Sequence, residues 1–429
     1  MRYMAPRGTM DILPRETPRW RYVEQKFRET CRLYGYNELR TPTFEETELF
    51  TRSIGEHTDI VGKEMYTFLD RAGRSMTLRP EGTAPVVRAY IQHKLFGEMP
   101  VSKFYYIASI FRYERPQAGR YREHHQVGVE ALGSQDPAID AEVISLAMQY
   151  LTSLGISALE LKINSIGCPG CRPKYREALR KAVEPYLVEL CETCQVRYNA
   201  NPLRMLDCKV PRCRELTVSV PNIVEHLCKE CSDHLKMVLS YLDDLSISYT
   251  LDHRLVRGFD YYTKTAFEIV SGELGAQNAV AGGGRYDGLV AELGGPPTPA
   301  VGFGSGIERT LAIMDAQGIE VPSDLHPTVF VATVGEKSRR IGIKLLAELR
   351  RNEIAAETDY SGKSLKGQMR AADREQAKFV AIIGDEELER DQIKLRNMET
   401  KEEKNIPLAS AVEQIKHLTN IPVDYPGQS

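Results

Sequence analysis

Glycines sit inside three stretches of this chain that otherwise read as β-strands, and each stretch carries an arginine. A glycine in the middle of a strand weakens it, because it brings no side chain to pack and loses more backbone freedom than any other residue. Three such stretches in one chain suggest a sheet face shaped for a ligand. They are FYYIASIFRYERPQAGRYREHHQVGVEALG (104–133), HRLVRGFDYYTKTAFEIVSGELGAQNAVAGGGRYDGLV (253–290) and VGFGSGIERTLAIM (301–314). Taken singly, each also fits an ordinary solvated sheet face.

The first stretch reads as a long hairpin whose loop carries Arg115, Arg120 and Arg122, with Pro116 and Gly119 as turn signals. In its return strand, period-two alternation puts Gln126, Gly128 and Glu130 on one face and Val127, Val129 and Ala131 on the other. Gly128 then leaves a gap suited to a small ligand rich in hydrogen-bond donors, and Arg112 adds a fixed cation. In the second stretch a strand is expected over 259–269, with Tyr262, Lys264 and Ala266 opposite Tyr261, Thr263 and Thr265. Gly282–Gly284 reads as a loop bringing backbone N–H groups to a ligand and delivering Arg285 and Tyr286 beside it. The third stretch is a strand running into a helix, with Arg309 in the first turns. Its alternating glycines do not match the dinucleotide fingerprint and instead suit a flat group such as a purine. Together Arg112, Arg257 and Arg309 point to a triphosphate, since guanidinium offers phosphate a planar, permanently charged fork.

FRYER with its return HHQVGVE, and GFGSGIER, resemble motifs 2 and 3 of class II aminoacyl-tRNA synthetases, and TPTFEE (41–46) resembles the proline-bearing motif 1. LVRGFDYYTKTAFE and AGGGRYDG resemble two segments peculiar to the histidyl-tRNA synthetase family, bacterial type. The likeness runs from PRGTMDILP to the end of the chain. It implies an α+β fold: an antiparallel catalytic sheet flanked by helices over 1–326, an inserted small domain at about 168–245, and a C-terminal α/β anticodon-binding domain over 327–429. It implies ATP-dependent ligation of L-histidine to its tRNA, through a histidyl-adenylate, by a homodimer.

Residue by residue, the resemblance gives Glu81 and Thr83 of TLRPEGTAP to the histidine ammonium, helped by Gln126. Glu130 and Tyr262 correspond to the readers of the imidazole, with Tyr261 and Tyr286 lining the pocket. Arg112 and Arg257 correspond to the catalytic pair on the α-phosphate, Arg257 also counting among the histidine-binding residues. Arg309 corresponds to the γ-phosphate arginine, Glu114 is expected at adenine, and Arg120 at ATP or the tRNA acceptor end. ATP brings Mg²⁺ with it. The rival in another class is a non-catalytic histidine-binding paralogue that regulates histidine biosynthesis, which usually lacks both the arginine set and the C-terminal domain.

A net charge of −3 over 429 residues announces no global attraction to nucleic acid, so local basic patches must supply it. One is Lys363, Lys366, Arg370 and Arg374. No apolar run reaches membrane length and no signal peptide is read in MRYMAPRGTMDILP, so a cytoplasmic location is expected. Eight of nine cysteines fall between 168 and 231. Cys168/Cys171 and Cys191/Cys194 read as one CxxC pair of pairs, with Cys208/Cys213 and Cys228/Cys231 as a looser second set. In a reducing compartment that spacing reads as structural zinc rather than disulfides. Because the family does not depend on a metal here, free thiols are the default and zinc the alternative. A helix is expected over 18–34 with Thr17 as N-cap and Trp20, Val23, Phe27 and Cys31 on one face.

Overall fold

The structure is a computed structural model and describes residues 3–55, 58, 60–115, 120–273, 278–321 and 326–419. Pro116, Gly119 and most of the expected linker at 321–327 lie outside the described residues. The chain divides into two compact units, Met1–Pro322 and Ser323–Ser429.

The first unit is built on an eight-stranded sheet. In spatial order its strands are Asn37–Glu38, Ser102–Phe111, Glu123–Leu132, Ala300–Gly306, Ala279–Arg285, Thr263–Ser271, Leu159–Ser165 and Tyr249–Leu251. All neighbours are antiparallel except the two short edge strands, which run parallel to theirs. One face is apolar, as the alternation Val127, Val129, Ala131 requires, and is covered by the helices Thr17–Leu33, Pro137–Ser153, Lys229–Asp244 and Ile307–Ala316. Phe27 sits edge-on to Tyr150 at 5.0 Å and to Tyr105 at 5.8 Å. Truncating such a fully buried ring to alanine costs about 3–5 kcal/mol. The first helix buries Trp20, Val23, Phe27 and Cys31 together. Its N-cap is Glu16 rather than Thr17, whose hydroxyl donates to the Pro14 carbonyl just outside the helix. Among the described residues no helix is long and apolar enough to cross a membrane.

Between Leu159–Ser165 and Tyr249–Leu251 lies a run of short helices, Arg172–Val183, Glu192–Ala200 and Pro211–Leu216, in and around which fall eight of the nine cysteines. The helix that follows, Lys229–Asp244, turns Val238 and Leu242 into the main core. Near the other edge, the segment resembling motif 1 forms the strand Phe44–Glu46 and the helix Thr47–Ile54. That strand joins Tyr66–Leu69 and Ser75–Leu78 in a separate three-stranded sheet.

The second unit is a five-stranded mixed sheet in the order Ala356–Thr358, Val329–Thr333, Phe379–Ile383, Gln392–Asn397, Glu403–Pro407. The first three strands are parallel, joined by the helices Glu336–Arg351 and Leu365–Arg374. The closing antiparallel pair and the helix Ala411–Thr419 are not among the elements expected from sequence: Gln392–Asn397 buries only Ile393 and Leu395, and the edge strand Glu403–Pro407 only Ile406.

Candidate active site

The uncovered face of the large sheet carries a straight row of glycines. Tyr106 pairs with Gly128, Gly128 with Gly304, Gly304 with Gly282, and Gly282 with Glu268, so three adjacent central strands present no side chain along one line. A second row, Glu130, Gly302, Gly284 and Ala266, lies one step away. The glycines are beds for reclining side chains. A Cβ at Gly128 would stand 2.4 Å from the Tyr106 phenol, at Gly304 2.4 Å from the Gln126 amide, at Gly282 2.7 Å from the Arg257 guanidinium, and at Gly302 2.0 Å from Glu130. The gap expected at Gly128 is therefore filled by Tyr106, whose hydroxyl accepts from Gln126 Nε2 at 2.7 Å.

At one end of the row the polar groups are buried and joined. Glu81 precedes the helix Thr83–Gln92 and accepts the Thr83 and Ala84 N–H groups at 2.6 and 2.7 Å, filling the free donors of that helix start. The Thr83 hydroxyl donates to Glu130 at 2.7 Å, and Tyr286 donates to the other Glu130 oxygen. Burial pushes the Glu130 carboxyl up to about 8, against these two donors, and Glu81 adds to the rise. Burial raises Glu81 too, opposed by its two backbone donors and Arg112. Tyr261 and Tyr262 close this end, their rings 4.7 Å apart, and among the described residues the buried Tyr261 hydroxyl has no hydrogen-bond partner.

At the other end four arginines face a cleft of about 390 Å³ that also contains Glu81, Thr83, Gln126, Tyr261 and Tyr262. Arg112 follows the hairpin's first strand, donates to the Pro80 carbonyl at 2.7 Å and lies 5.7 Å from the centre of the Phe259 ring. Arg257 lies over Gly282, paired with Glu268 at 2.6 Å and 5.4 Å from the Tyr262 ring centre; among the described residues its buried Nε has no partner. Two central strands separate these cations. Arg309 donates to the Ala279 carbonyl at 2.8 Å from the start of its helix, and Arg120 pairs with Glu114 at 3.2 Å. His124, absent from the expectations, lines the same cleft; burial, Arg112 and Arg309 hold its imidazole down to about 3, so it stays neutral.

Three expectations need correction. The strand begins at Thr263, not Phe259, because Lys264 adopts φ 48° and the ladder slips between Thr263 and Ala266. Tyr261 and Tyr262 thus belong to a turn and both reach the cleft instead of opposing each other across a strand. Gly282–Gly284 is the middle of the strand Ala279–Arg285, not a loop. Arg285 points away from the ligand: fully buried, it pairs with Asp140 of the helix Pro137–Ser153 and with Asp287. Burial disfavours the charge on Asp140, but His234 and Arg285 hold its carboxyl below the usual range. Glu130 and Tyr286 lie just beneath the cleft surface. Tyr106 was missed; its signal was the hairpin register, which sets it opposite Gly128. Glu308 looks free in sequence, yet it accepts from the His125 backbone N–H at 2.9 Å, tying the third stretch to the hairpin.

A family model described as histidyl-tRNA synthetase matches residues 8–310, and one described as anticodon binding domain matches 328–418. The chain is 52% identical over 413 residues to the histidine–tRNA ligase of Caldanaerobacter subterraneus subsp. tengcongensis, covering 96% of this chain and 99% of that one. It is 49% identical over 413 residues to the enzyme of the same name from Clostridioides difficile, with 96% and 98% covered. Among solved structures it is similar to apo histidyl-tRNA synthetase from S. aureus, at 42% identity with a TM-score of 0.83, covering 96% of this chain and all of that one.

Proposed function

The chain belongs to the histidyl-tRNA synthetase family, and from that premise we propose that it joins L-histidine to its tRNA through a histidyl-adenylate made in the glycine-floored cleft. The observation that carries the assignment of residues is the convergence of Arg112, Arg257 and Arg309 on the same cleft as Glu81, Thr83 and Gln126.

The histidine carboxylate attacks the α-phosphorus of ATP and pyrophosphate leaves. The terminal ribose hydroxyl of the tRNA then takes the acyl group and AMP departs. Neither step needs a nucleophile from the protein, so the work is positioning and charge stabilisation. Arg112, just past the strand Ser102–Phe111, and Arg257, lying over Gly282 with two strands between them, meet the charge that builds on the α-phosphoryl oxygens. Arg309 takes the γ-phosphate, Glu114 meets the adenine, and Arg120 holds ATP or the acceptor end of the tRNA. Glu268 presents a carboxylate to the cleft, the donor type Mg²⁺ takes, and would hold the ion that accompanies ATP. When bound, that ion offsets phosphate charge.

Glu81, Thr83 and Gln126 take the ammonium, while Glu130, Tyr262, Tyr261 and Tyr286 form the imidazole end. The partnerless Tyr261 hydroxyl suits a ligand with its own donor or acceptor. A buried polar group left unpaired by an analogue costs about 1–3 kcal/mol, which is how such an end rejects isosteres.

Two further readings rest on the same family. The larger groove beside Thr41, Pro42, Glu45 and Leu49 lies away from the chemistry, next to the three-stranded sheet that exposes Phe44, Phe68 and Leu69. Buried Arg79 ties this segment to the catalytic sheet by donating to the carbonyls of Thr41, Pro42 and Ser109. An apolar face so anchored suits a two-fold homodimer interface. In the second unit, Lys366, Arg370 and Arg374 are exposed at four-residue spacing on one helix, a face suited to tRNA phosphates.

The test is charging of unfractionated tRNA with each amino acid in turn. Histidine alone is expected to be attached. A chain ending at residue 326 should still form adenylate but charge tRNA poorly. Equal charging by that shortened chain would remove the tRNA role from the second unit.

A further inference from the structure

The cysteines, ordered one way by sequence, are grouped another way by the fold. Cys168, Cys171, Cys228 and Cys231 form one group and Cys191, Cys194, Cys208 and Cys213 another; within each, all four sulfurs lie within 4.8 Å of one another. The second group is thus nested inside the first along the chain, and the expected union of 168/171 with 191/194 does not occur.

No cysteine is in a disulfide. The Cys168 and Cys171 sulfurs are 3.6 Å apart and those of Cys191 and Cys208 are 3.9 Å apart. A disulfide needs about 2.05 Å. Four sulfurs at about 2.3 Å from one zinc ion sit about 3.8 Å from each other at the corners of a tetrahedron. Each group also has the turn such a corner needs. Cys171 N–H donates to the Cys168 carbonyl at 3.0 Å and Cys194 N–H to the Cys191 carbonyl at 2.8 Å, so each CxxC folds both sulfurs to one side. Across each group a backbone N–H is aimed at sulfur: Cys228 N–H at Cys171 Sγ, 3.1 Å, and Cys191 N–H at Cys213 Sγ, 3.2 Å. Such donors suit thiolates. Cys194, Cys208 and Cys213 are buried among the apolar side chains of this segment, beside Leu190, Met205 and Leu206, so the second group lies inside its core rather than on its surface.

We propose that this segment holds two structural zinc ions, each bound by four thiolates: one by Cys168, Cys171, Cys228 and Cys231, the other by Cys191, Cys194, Cys208 and Cys213. An all-sulfur tetrahedral set selects zinc or iron. Sulfurs this close surround one ion and leave no space for a multi-iron cluster. Four protein ligands close the coordination sphere, so neither ion has an open position for chemistry.

The first ion fastens the neck of the insertion, where the chain leaves Leu159–Ser165 and returns through Lys229–Asp244. That neck grips the segment bearing the candidate pocket residues. Lys264 N–H donates to the Gly167 carbonyl at 3.0 Å, Ile166 N–H to the Lys264 carbonyl at 2.8 Å, and the Lys264 ammonium to Glu230 at 2.7 Å. From within the insertion, Asn201 donates to Asp260 at 2.8 Å and Arg204 to the Arg257 carbonyl at 3.2 Å. The ions are therefore positioning elements for the turn 257–264. The two sites stand on the sulfur geometry alone and do not depend on the assignment of the cleft.

The test is elemental analysis of the full-length protein, purified without chelators and desalted, with zinc read per chain and thiols counted by alkylation and mass spectrometry. The expected result is two zinc ions per chain and no disulfide. Exchange with Co²⁺ should give the absorption of tetrahedral cobalt thiolate at both sites, a readout independent of activity. The double variant Cys208→Ser, Cys213→Ser should fall from two zinc ions to one. One zinc or none in the unaltered protein, iron in its place, or a disulfide within either group would overturn the proposal.

Discussion

At one end of the cleft Glu81, Thr83, Glu130 and Tyr286 are buried and spend their polar atoms on each other, whereas at the other Arg112, Arg120 and Arg309 stay partly exposed. Those arginines are held by the Pro80 carbonyl, Glu114 and the Ala279 carbonyl. The glycine floor runs beneath both ends, yet only the first is complete before any ligand arrives. A small amino acid must be distinguished by shape and donors, which favours a rigid, pre-satisfied network. A triphosphate is recognised by charge, and cations anchored at their base by backbone groups can meet it with little rearrangement. The contrast predicts that damage to the closed end disturbs folding and selection together, and damage to the open end disturbs rate.

The largest effect is expected from Gly302→Ala. The new methyl would stand 2.4 Å from the Val129 carbonyl as well as on Glu130, and a paired backbone carbonyl cannot step aside. Overpacking of this kind costs about 1–3 kcal/mol or more and displaces Glu130, so both stability and adenylation should collapse. At Gly304→Ala the nearest atoms all belong to the Gln126 side chain, which can turn aside, so the variant should keep its melting temperature while losing histidine affinity. Equal losses of stability in the two variants would break the distinction between a fixed and a yielding neighbour.

Arg257→Ala comes next. If this cation acts mainly in the transition state, adenylate formation at saturating substrate should slow by roughly 10²–10³, about 2.7–4 kcal/mol, with ATP binding little changed. A raised KM with an unchanged rate would move Arg257 to ground-state binding and blur the two ends. A smaller effect is expected in the second unit, where Lys366→Ala with Arg370→Ala should weaken tRNA binding and lower the salt slope by about one per lost phosphate contact. Histidine-dependent adenylation by that variant should be unaltered.

The remaining effect is a slope, read on stability alone. Folding holds the Glu130 proton up to about pH 8, against 4.5 for an ordinary glutamate, so the folded chain binds more protons between those values. Stability contributed by this group is therefore full below about pH 4.5 and declines as pH rises towards 8. Glu130→Gln removes the titration. Melting curves at pH 5 and pH 8 should show the parent losing ground to the variant; parallel curves would mean that Thr83 and Tyr286 keep the carboxylate ionised throughout.

What could be read from sequence followed from periodicity. Alternation in HHQVGVEAL fixed which face of the hairpin is apolar, and its glycine, Gly128, marked the ligand face. What could not be read depended on contacts distant in the chain. The bulge at Lys264 has no local signal, so Tyr261 and Tyr262 were set on opposite faces. Arg285, in a glycine-rich segment, looked like a ligand group until Asp140, 145 positions away, was seen to hold it. Glycine-bed geometry was hidden for the same reason: the side chain that fills the space over Gly282 comes from outside its strand pair, from Arg257. The cysteine spacing showed that thiols were concentrated but not which ones meet, because the fold nests one group inside the other.

The central claim, that this cleft makes histidyl-adenylate, is tested most directly by exchange of labelled pyrophosphate into ATP. The purified full-length protein is expected to catalyse exchange when histidine and Mg²⁺ are supplied, and to fall to background when histidine is omitted or replaced by another amino acid. Exchange that another amino acid supports equally, or none with histidine, would contradict it.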